Sequence, residues 1–256
     1  MKIVAIIQAR VSSTRLPRKV LLPILGRPLL LHVVDRVRAS RVCDAVVVAT
    51  STHSSDKAIA TLCCEEAIPC FRGSLDDVLR RYRDSAEAHS TDAVVRITAD
   101  CPFLDPAVVA KVVTAFREGD ADYCSNTLHP TYPDGLDTEV FTMEALRRTD
   151  EEAHLPSERE HVTPYITYHP DRFRLRSVES SESHAGLRWT VDEPQDLAFI
   201  QAVAEHLGRF PLGMDELLAL LRKHPTFGTI NAGIGRNEGY TLSSRRDGPI
   251  ASPVHS

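Results

Sequence analysis

A cationic loop directly behind an apolar run has the residue types that bind a polyphosphate. Residues 8–19 read QARVSSTRLPRK and carry four cations and three hydroxyl side chains, without a glycine. Arginine forks match phosphate oxygens in a bidentate manner, lysine adds a mobile point charge, and hydroxyl and backbone N–H groups add donors. A solvated basic loop is the common alternative for such a charge run. The position behind a buried strand and the acidic remainder of the chain favour a triphosphate site.

The loop does not match either of the common glycine-rich phosphate motifs. Neither G-x-x-x-x-G-K-[ST] nor G-x-G-x-x-G is present in it. Those motifs use glycines to bring backbone N–H groups close to the phosphates. The sequence therefore disfavours a P-loop NTPase and an ordinary dinucleotide-binding protein.

Two aspartates just past predicted strand ends could share a metal ion. Asp100 follows VVRIT in the segment TADCP, and Asp192 follows LRWTV in the segment TVDEPQD. Magnesium prefers a few carboxylates together with phosphate oxygens and water. Each aspartate alone is more typical of a helix cap or a turn, so the hypothesis depends on the triphosphate loop. Together these features predict Mg²⁺ on Asp100 and Asp192.

Composition limits the class of protein. The chain has 256 residues, of which 43% are hydrophobic and 25% charged, as in an ordinary globular protein. A net charge of -5 argues against a general nucleic-acid binder. The six cysteines form no C-x-x-C pair, so a zinc site is disfavoured. No signal-peptide pattern or membrane-spanning apolar run is present, and we expect a cytoplasmic protein with reduced thiols and no membrane partner.

Strand and helix patterns alternate over about the first 125 residues. This alternation predicts an α/β fold with a doubly wound, mostly parallel sheet, which binds ligands beyond the carboxyl ends of its strands. The predicted strands are 2–8, 44–50, 69–71, 92–98, 121–125, 172–178 and 187–191. The predicted helices begin near Pro28 and continue with 54–67, 75–89, 105–118, 143–149, 158–168, 193–207 and 214–224.

The alternation stops in the middle of the chain. We interpret residues 129–183 as a small elaboration that shapes an acceptor site or a subunit contact. Residues 1–227 are predicted to form one domain around the sheet. Residues 228–256 are rich in Gly, Asn, Ser, Arg and Pro, which predicts a flexible C-terminal tail.

Several motifs, in order along residues 1–210, resemble those of the CMP-sugar synthetase-like nucleotidyltransferases. This group includes the acylneuraminate and 3-deoxy-manno-octulosonate cytidylyltransferases, and the similarity is greatest to spore coat polysaccharide biosynthesis cytidylyltransferase-like proteins. The motifs are QARVSSTRLPRKV, FRGSLDDVLRRY, RITADCPFLDP, GLDTEVF, EREHVTPYI and RWTVDEPQDL. The resemblance implies the Rossmann-like fold of the nucleotide-diphospho-sugar transferases and a homodimer. Related proteins often have glycine at the positions of Ser12 and Arg18, where this chain departs from the pattern.

The resemblance also implies roles for individual residues. Those implied in catalysis are Lys19, Arg10 and Asp100. Those implied in nucleotide binding are Gln8, Ala9, Arg10, Ser12, Ser13, Arg15, Lys19, Arg72, Gly73, Ser74 and Asp100. Those implied in acceptor binding are Asp137, Glu139, Arg159, Glu160 and His161. The metal ligands implied are Asp100 and Asp192.

The predicted function is therefore a Mg²⁺-dependent cytidylyltransferase. It would transfer CMP from CTP to a sugar, a sugar acid or a related small acceptor, including a phosphate or phosphonate, and release pyrophosphate. One alternative is a nucleotide-sugar-dependent glycosyltransferase of the same fold, although such enzymes often carry D-x-D where this chain has Asp-Cys-Pro. The other alternative is a non-catalytic nucleotide-binding partner.

Overall fold

The computed structural model describes residues 1–210, 213–236, 238–245 and 247. The strands are β1 (Ile3–Gln8), β2 (Pro23–Ile24), β3 (Arg27–Pro28), β4 (Ala45–Ser51), β5 (Cys70–Gly73), β6 (Ala93–Thr98), β7 (Tyr123–Ser125), β8 (Glu139–Thr142) and β9 (Leu175–Ser177). The helices are α1 (Leu29–Ala39), α2 (Lys57–Glu65), α3 (Val78–Ala88), α4 (Pro106–Glu118), α5 (Met143–Glu152), α6 (Pro156–His161), α7 (Pro164–Tyr168), α8 (Pro194–Leu207), α9 (Met214–Lys223) and α10 (Glu238–Ser244). Short 3₁₀ turns cover Lys19–Leu21, Ser54–Asp56 and Pro225–Thr229.

A seven-stranded sheet in the order β5-β4-β1-β6-β8-β7-β9 forms the centre of the described structure. The strands β5, β4, β1 and β6 pair in parallel, and so do β7 and β9, whereas β8 runs antiparallel to both of its neighbours. The sequences of β1, β4 and β6 are nearly continuous apolar runs, which are typical of parallel strands that are buried on both faces. The predicted doubly wound, mostly parallel α/β fold is confirmed.

The strand β1 shows how the sheet is buried. Its residues Ile3, Ala5 and Ile7 pack into one apolar core, with α1, α4 and α8. The intervening Val4 and Ile6 pack into a second core, with α3, α5 and α7. Because successive side chains of a strand point to opposite faces, β1 stabilises the helical layers on both sides of the sheet. Its carboxyl end, at Gln8, is therefore held in a fixed position.

The predicted strand 187–191 is wrong. This segment makes only an isolated bridge between Asp134 and Arg188. Opposite it, Gly135 has φ +105°, and a Cβ there would lie 2.6 Å from the carbonyl carbon of Trp189. This close contact with the turn at Gly135 takes the place of regular strand pairing in residues 187–191. The turn requires glycine because of its positive φ and because a Cβ would clash.

Two further predictions in the middle segment were too long. The strand predicted for 172–178 is limited to β9, and the helix predicted for 158–168 is divided into α6 and α7. Val162 separates the two helices with φ 75°, and Pro164 then begins α7, where its missing N–H is tolerated. Among the described residues no helix is long and apolar enough to cross a lipid bilayer.

The C-terminal segment 228–256, predicted to be a flexible tail, contains helical elements in its described part. The 3₁₀ turn Pro225–Thr229 extends into it, and α10 follows. Asn231 and Ser243 are both buried. Asn231 and Asp247 of this segment both form hydrogen bonds with the body of the protein. Positions 237, 246 and 248–256 lie outside the described residues.

Candidate active site

A cavity of about 670 Å³ opens at the carboxyl ends of β1 and β6. Its wall contains most of the residues that the sequence predicted for the site, although they come from distant parts of the chain. The predicted residues that line it are Gln8, Ala9, Arg10, Ser13, Arg15, Lys19, Asp100, Asp137, Glu139, Glu160, His161 and Asp192. Five predicted residues, all within the described ranges, do not line it, namely Ser12, Arg72, Gly73, Ser74 and Arg159.

Lys19 joins the two predicted metal ligands. Its Nζ lies 2.6 Å from Oδ2 of Asp100 and 2.6 Å from Oδ1 of Asp192. Burial lowers the pKa of Lys19, but the two carboxylates outweigh it and the net pKa is raised. Burial likewise would raise the pKa of Asp100, yet the ammonium lowers it to about 2. Lys19 and Asp100 are therefore both charged at neutral pH, and the carboxylates of Asp100 and Asp192 converge on a single cation position.

The backbone of the cationic loop is fixed by a residue that sequence reasoning missed. Asp56 is fully buried, accepts a hydrogen bond from the N–H of Val11 at 2.7 Å and accepts another from the hydroxyl of Ser51. Within the loop, Oγ of Ser13 accepts from the N–H of Leu16 at 3.3 Å. A buried carboxylate that binds backbone N–H groups orients the loop without glycines. The only sequence signal was an acidic residue at a predicted helix start.

The backbone conformation of Arg18 is one that glycine favours, and Arg18 is one of the two positions where related proteins often have glycine. It adopts the left-handed conformation, with φ 61° and ψ 19°, and is exposed. Glycine adopts this conformation without a steric penalty, whereas other L-residues lose roughly 1–2 kcal/mol there. The chain therefore retains the backbone shape for which related sequences use glycine.

A buried arginine organises the Asp192 side of the site. Arg188 donates to Asp134 at 2.9 Å, to Asp196 at 2.9 Å and to Asp192 at 3.3 Å. Arg15 lies 3.2 Å from Asp192 on the other side. Asp192 is thus held in place by three cations, counting Lys19. The motif RWTVDEPQD contained Arg188, but its role required the three-dimensional arrangement.

Glu139 is held by three neighbours. Its carboxylate accepts from the Tyr123 hydroxyl at 2.6 Å and the Thr163 hydroxyl at 2.6 Å, and it forms an ion pair with Arg96. The side chain is only 7% exposed. With its oxygens engaged, Glu139 stabilises the cavity wall and is a poor candidate for a base.

Asp137 has the properties of a proton acceptor. Burial, opposed by the ion pair with Arg236 and reinforced by Asp134 and Glu139, raises its pKa to about 7. The group therefore changes charge near neutral pH, where a general base works best. Elsewhere in the cavity wall, Glu160 and His161 both contact Ser243, at 2.9 Å and 3.0 Å. Burial lowers the pKa of His161 to about 4, so this imidazole is neutral.

We expect Asp137→Asn to change the pH dependence of stability. In the unfolded chain the aspartate loses its proton near its ordinary pKa of 3.8, whereas the native protein keeps it up to about pH 7. The wild-type protein therefore loses stability as pH rises between these values. The variant should raise the unfolding temperature at pH 8 relative to wild type by more than it does at pH 5. Equal differences at both pH values would show that Asp137 titrates normally.

The segment 72–74, predicted to bind the nucleotide, lies outside the cavity wall and contacts residues of the surrounding protein. Arg72, at the end of β5, donates to the carbonyls of Ser51 and His53 at 3.0 and 3.1 Å. The carbonyl of Ser74 accepts from Arg81 at 2.7 Å. Arg81 is buried and lines the cavity, and its Nε has no hydrogen-bond partner among the described residues. The structure therefore places Arg81, which the sequence analysis missed, at the cavity in place of its predicted neighbours.

Arg159 was predicted to bind the acceptor, and the structure places it elsewhere. Its guanidinium binds Asp77 at 2.5 Å and Asp150 at 2.6 Å. Asp77 immediately precedes α3, Asp150 lies in the last turn of α5, and Arg159 itself lies in α6. Arg159 therefore links three helices. It is a structural residue because its donors are used within the protein.

We expect Arg159→Ala to reduce the free energy of unfolding by about 1–3 kcal/mol, because partly buried Asp77 loses its cation and Asp150 keeps only Arg83. The exposed pair of Arg147 with Glu87 offers a matched control. Arg147→Ala should change stability by less than about 1 kcal/mol. Denaturant titration measures both variants. If Arg159→Ala were as stable as the control but bound acceptor poorly, the original prediction would be correct.

The fold and the site together define a nucleotidyltransferase. A family model described as "Cytidylyltransferase" matches residues 4–223. The chain is 34% identical over 235 residues to the spore coat polysaccharide biosynthesis protein SpsF of Bacillus subtilis, covering 89% of this chain and 97% of that protein. The chain belongs to the cytidylyltransferase family, whose members are CTP-dependent nucleotidyltransferases.

Solved structures show the same architecture. A cytidylyltransferase from Leptospira borgpetersenii is 28% identical, with a TM-score of 0.85 that covers 92% of this chain and 99% of the other. A CMP:2-keto-3-deoxy-manno-octonic acid synthetase complexed with CTP is 18% identical, with a TM-score of 0.62 over 81% of this chain and 100% of the other. The second likeness concerns the fold alone.

Proposed function

We propose that the enzyme transfers CMP from CTP to a sugar, a sugar acid or a related small acceptor, with Mg²⁺ as cofactor and pyrophosphate as the second product. The observation that carries this proposal is the convergence of Lys19, Asp100 and Asp192 in a cavity behind the cationic loop. Family membership supports the use of CTP. The acceptor class follows from the resemblance to the CMP-sugar synthetase-like nucleotidyltransferases.

The triphosphate lies along the cationic loop in this proposal. Arg10, Ser13, Arg15 and Lys19 all line the cavity within one short stretch of chain. Their forks, hydroxyl and ammonium are suited to the oxygens of a triphosphate. Binding there brings the α-phosphate toward Asp100 and Asp192, where the carboxyl ends of the strands meet.

The donor set fits a magnesium ion. Two carboxylates already share one cation, the Lys19 ammonium, and in the described ranges no group of three or more metal-ligating side chains is present. Mg²⁺ is commonly held by one or two carboxylates, with phosphate oxygens and water completing the shell. Asp100 and Asp192 would hold it, and the bound ion would neutralise charge that develops on the phosphate oxygens.

The protein's own groups position and stabilise the reaction. An acceptor oxygen attacks the α-phosphorus in line and the bond to pyrophosphate breaks. Lys19 and the loop arginines stabilise the negative charge on the departing pyrophosphate. Asp137 in its ionised form can take the proton of a hydroxyl acceptor, and an acceptor that is already anionic needs no base. Most of the rate enhancement then comes from orientation and preorganised charge.

We infer that the enzyme acts in polysaccharide biosynthesis in the cytoplasm and functions as a homodimer. The name of the Bacillus subtilis relative supports the biosynthetic role. The homodimer follows from resemblance to the family. Light scattering on the purified protein tests it, and a monomer at all concentrations would contradict it.

Thermal unfolding in the presence of single nucleotides tests the proposed function. ATP, CTP, GTP, UTP and dTTP are each added with Mg²⁺. A ligand at ~100 times its Kd stabilises by about 2.7 kcal/mol, and we expect this effect with CTP alone. Stabilisation by another nucleotide instead would keep the reaction class and overturn the base preference. No stabilisation by any of them would favour a glycosyltransferase, whereas stabilisation by CTP without pyrophosphate release would favour a non-catalytic nucleotide-binding partner.

A further inference from the structure

The C-terminal residues 231–236, 238–245 and 247, which we call the C-terminal strap, lie beyond the family-matched residues 4–223. Both ends of the strap are fixed on the body of the protein. Nδ2 of Asn231 donates to the carbonyl of Arg188 at 2.9 Å and to Asp196 at 3.0 Å. Asp247 accepts from the N–H and the hydroxyl of Ser157 at 2.9 and 2.6 Å. The strap is therefore part of the folded site.

Between these ends the strap forms a wall of the cavity. Arg236 and Tyr240 both line it. The Tyr240 ring packs edge to face on His161, with 5.2 Å between ring centroids. Ser243 donates to Glu160 at 2.9 Å, and Glu160 also lies 3.4 Å from Arg10 of the cationic loop. The strap thus contacts the same residues that sequence analysis assigned to the acceptor.

Arg236 is half-buried and differs from Arg96 and Arg188, two other arginines of the cavity wall. Arg96 is held by the enclosed Glu139, and Arg188 is held by three aspartates. Arg236 pairs with Asp137, whose side chain is 30% exposed, while the guanidinium is fixed by donating to the carbonyl of Tyr132 at 3.1 Å. An incoming anion can replace Asp137 while the carbonyl still orients the guanidinium.

Two neighbouring carboxylates disfavour the charged form of Asp137 in its pair with Arg236. Its carboxylate lies in the electrostatic field of Asp134 and Glu139, which oppose its charge. An acceptor carboxylate or phosphate at Arg236 would bind in bidentate fashion, the geometry that arginine favours. The displaced Asp137 then remains next to the acceptor, where it can act on a hydroxyl group.

We propose that the C-terminal strap selects the acceptor, with Arg236 as the residue that binds an oxyanion of the acceptor, either a carboxylate or a phosphate. This inference rests on the proposed function. It assigns acceptor specificity to a segment outside the family-matched part of the chain. The arginine acts on substrate binding and leaves the CTP site unchanged.

Steady-state kinetics on the full chain test this inference. Pyrophosphate release from Mg²⁺ and CTP is measured with sugar acids, sugar phosphates and the corresponding uncharged sugars. The wild-type protein is compared with Arg236→Gln, Arg236→Lys and the control Arg222→Gln, which removes an exposed cation from α9. CTP-induced thermal stabilisation is recorded for every variant, which shows whether each is folded and binds nucleotide.

We expect charged acceptors to be used at least about tenfold better than their uncharged counterparts. Arg236→Gln should raise the KM of the best acceptor by about tenfold or more, the loss typical of a charge-assisted contact. Arg236→Lys should recover part of this loss, whereas the KM for CTP and the Arg222→Gln control should not change. The comparison of sugar acids with sugar phosphates identifies which oxyanion binds.

Three results would overturn the inference. These are equal use of uncharged acceptors, an unchanged acceptor KM in Arg236→Gln, and a KM for CTP that rises as much as that for the acceptor. Stabilisation by CTP without turnover of any compound would also count against it. If CTP neither stabilises the protein nor supports turnover, the proposed function itself fails.

Discussion

Replacing Lys19 with alanine is expected to reduce turnover by roughly 100-fold or more, the typical effect of removing one preorganised group from a transition state. The ammonium lies 2.6 Å from both Asp100 and Asp192, and it also faces the departing pyrophosphate in the proposed reaction. Alanine removes the point charge and leaves two largely buried carboxylates facing each other. The measurement is pyrophosphate release from CTP with a saturating acceptor.

Lost stability must be separated from lost catalysis in this variant. Asp100 loses its cation in this variant, whereas Asp192 keeps Arg15 and Arg188, and the free energy of unfolding should fall by about 1–3 kcal/mol in EDTA. Mg²⁺ should restore part of this loss because it would bind the same two carboxylates. Lys57→Ala, at an exposed position at the start of α2, is the matched control. Unchanged turnover in folded Lys19→Ala would contradict the assignment of this residue.

Asp100→Asn is expected to have a second large effect, also roughly 100-fold on turnover. The carboxylate follows β6 directly, is held near pKa 2 by Lys19 and provides one of the two proposed magnesium ligands. An amide keeps the shape but loses the charge that holds a divalent ion. The variant should therefore require a higher Mg²⁺ concentration for half-maximal rate. A Mg²⁺ titration of pyrophosphate release measures both quantities.

The exposed Asp171→Asn variant serves as the control for Asp100→Asn, because it changes the same charge at a site outside the cavity wall. Its Mg²⁺ dependence should match that of the wild-type protein. If Asp100→Asn lowered turnover without any change in Mg²⁺ dependence, the aspartate would act through Lys19 alone and the proposed metal site would be wrong.

The parts of the fold that the sequence predicted well are those with a local physical cause. The apolar runs of β1, β4 and β6 are typical of strands that are buried on both faces. Asp105 and Pro106 mark the start of α4, because the Asp105 side chain caps the helix and proline has a fixed φ. The cationic loop and Asp100 follow such strands, so their meeting at one edge of the sheet was predictable. Asp192 reaches the same place although the strand predicted before it is absent, and the bridge from Lys19 to both carboxylates was not predicted.

The parts that the sequence did not predict depend on contacts between distant segments. Arg159 was assigned to the acceptor from its motif, yet Asp77 and Asp150 use its donors. Arg81 was inside a recognised motif without a role until the fold brought it to the cavity. Arg236 lies in a segment whose composition suggested flexibility, and its pairing with Asp137 spans 99 positions of the chain. No local pattern contains that information.

The proposed transfer of CMP from CTP to a small acceptor can be tested directly. The most direct test incubates the full chain with CTP, Mg²⁺ and a mixed panel of sugar acids, sugar phosphates and sugars, and follows pyrophosphate and CMP-linked products by mass spectrometry. We expect pyrophosphate and one CMP-linked compound in equal amounts, both lost in Lys19→Ala. CTP that stays intact, or sugar transfer from a nucleotide sugar supplied in place of CTP, would contradict it.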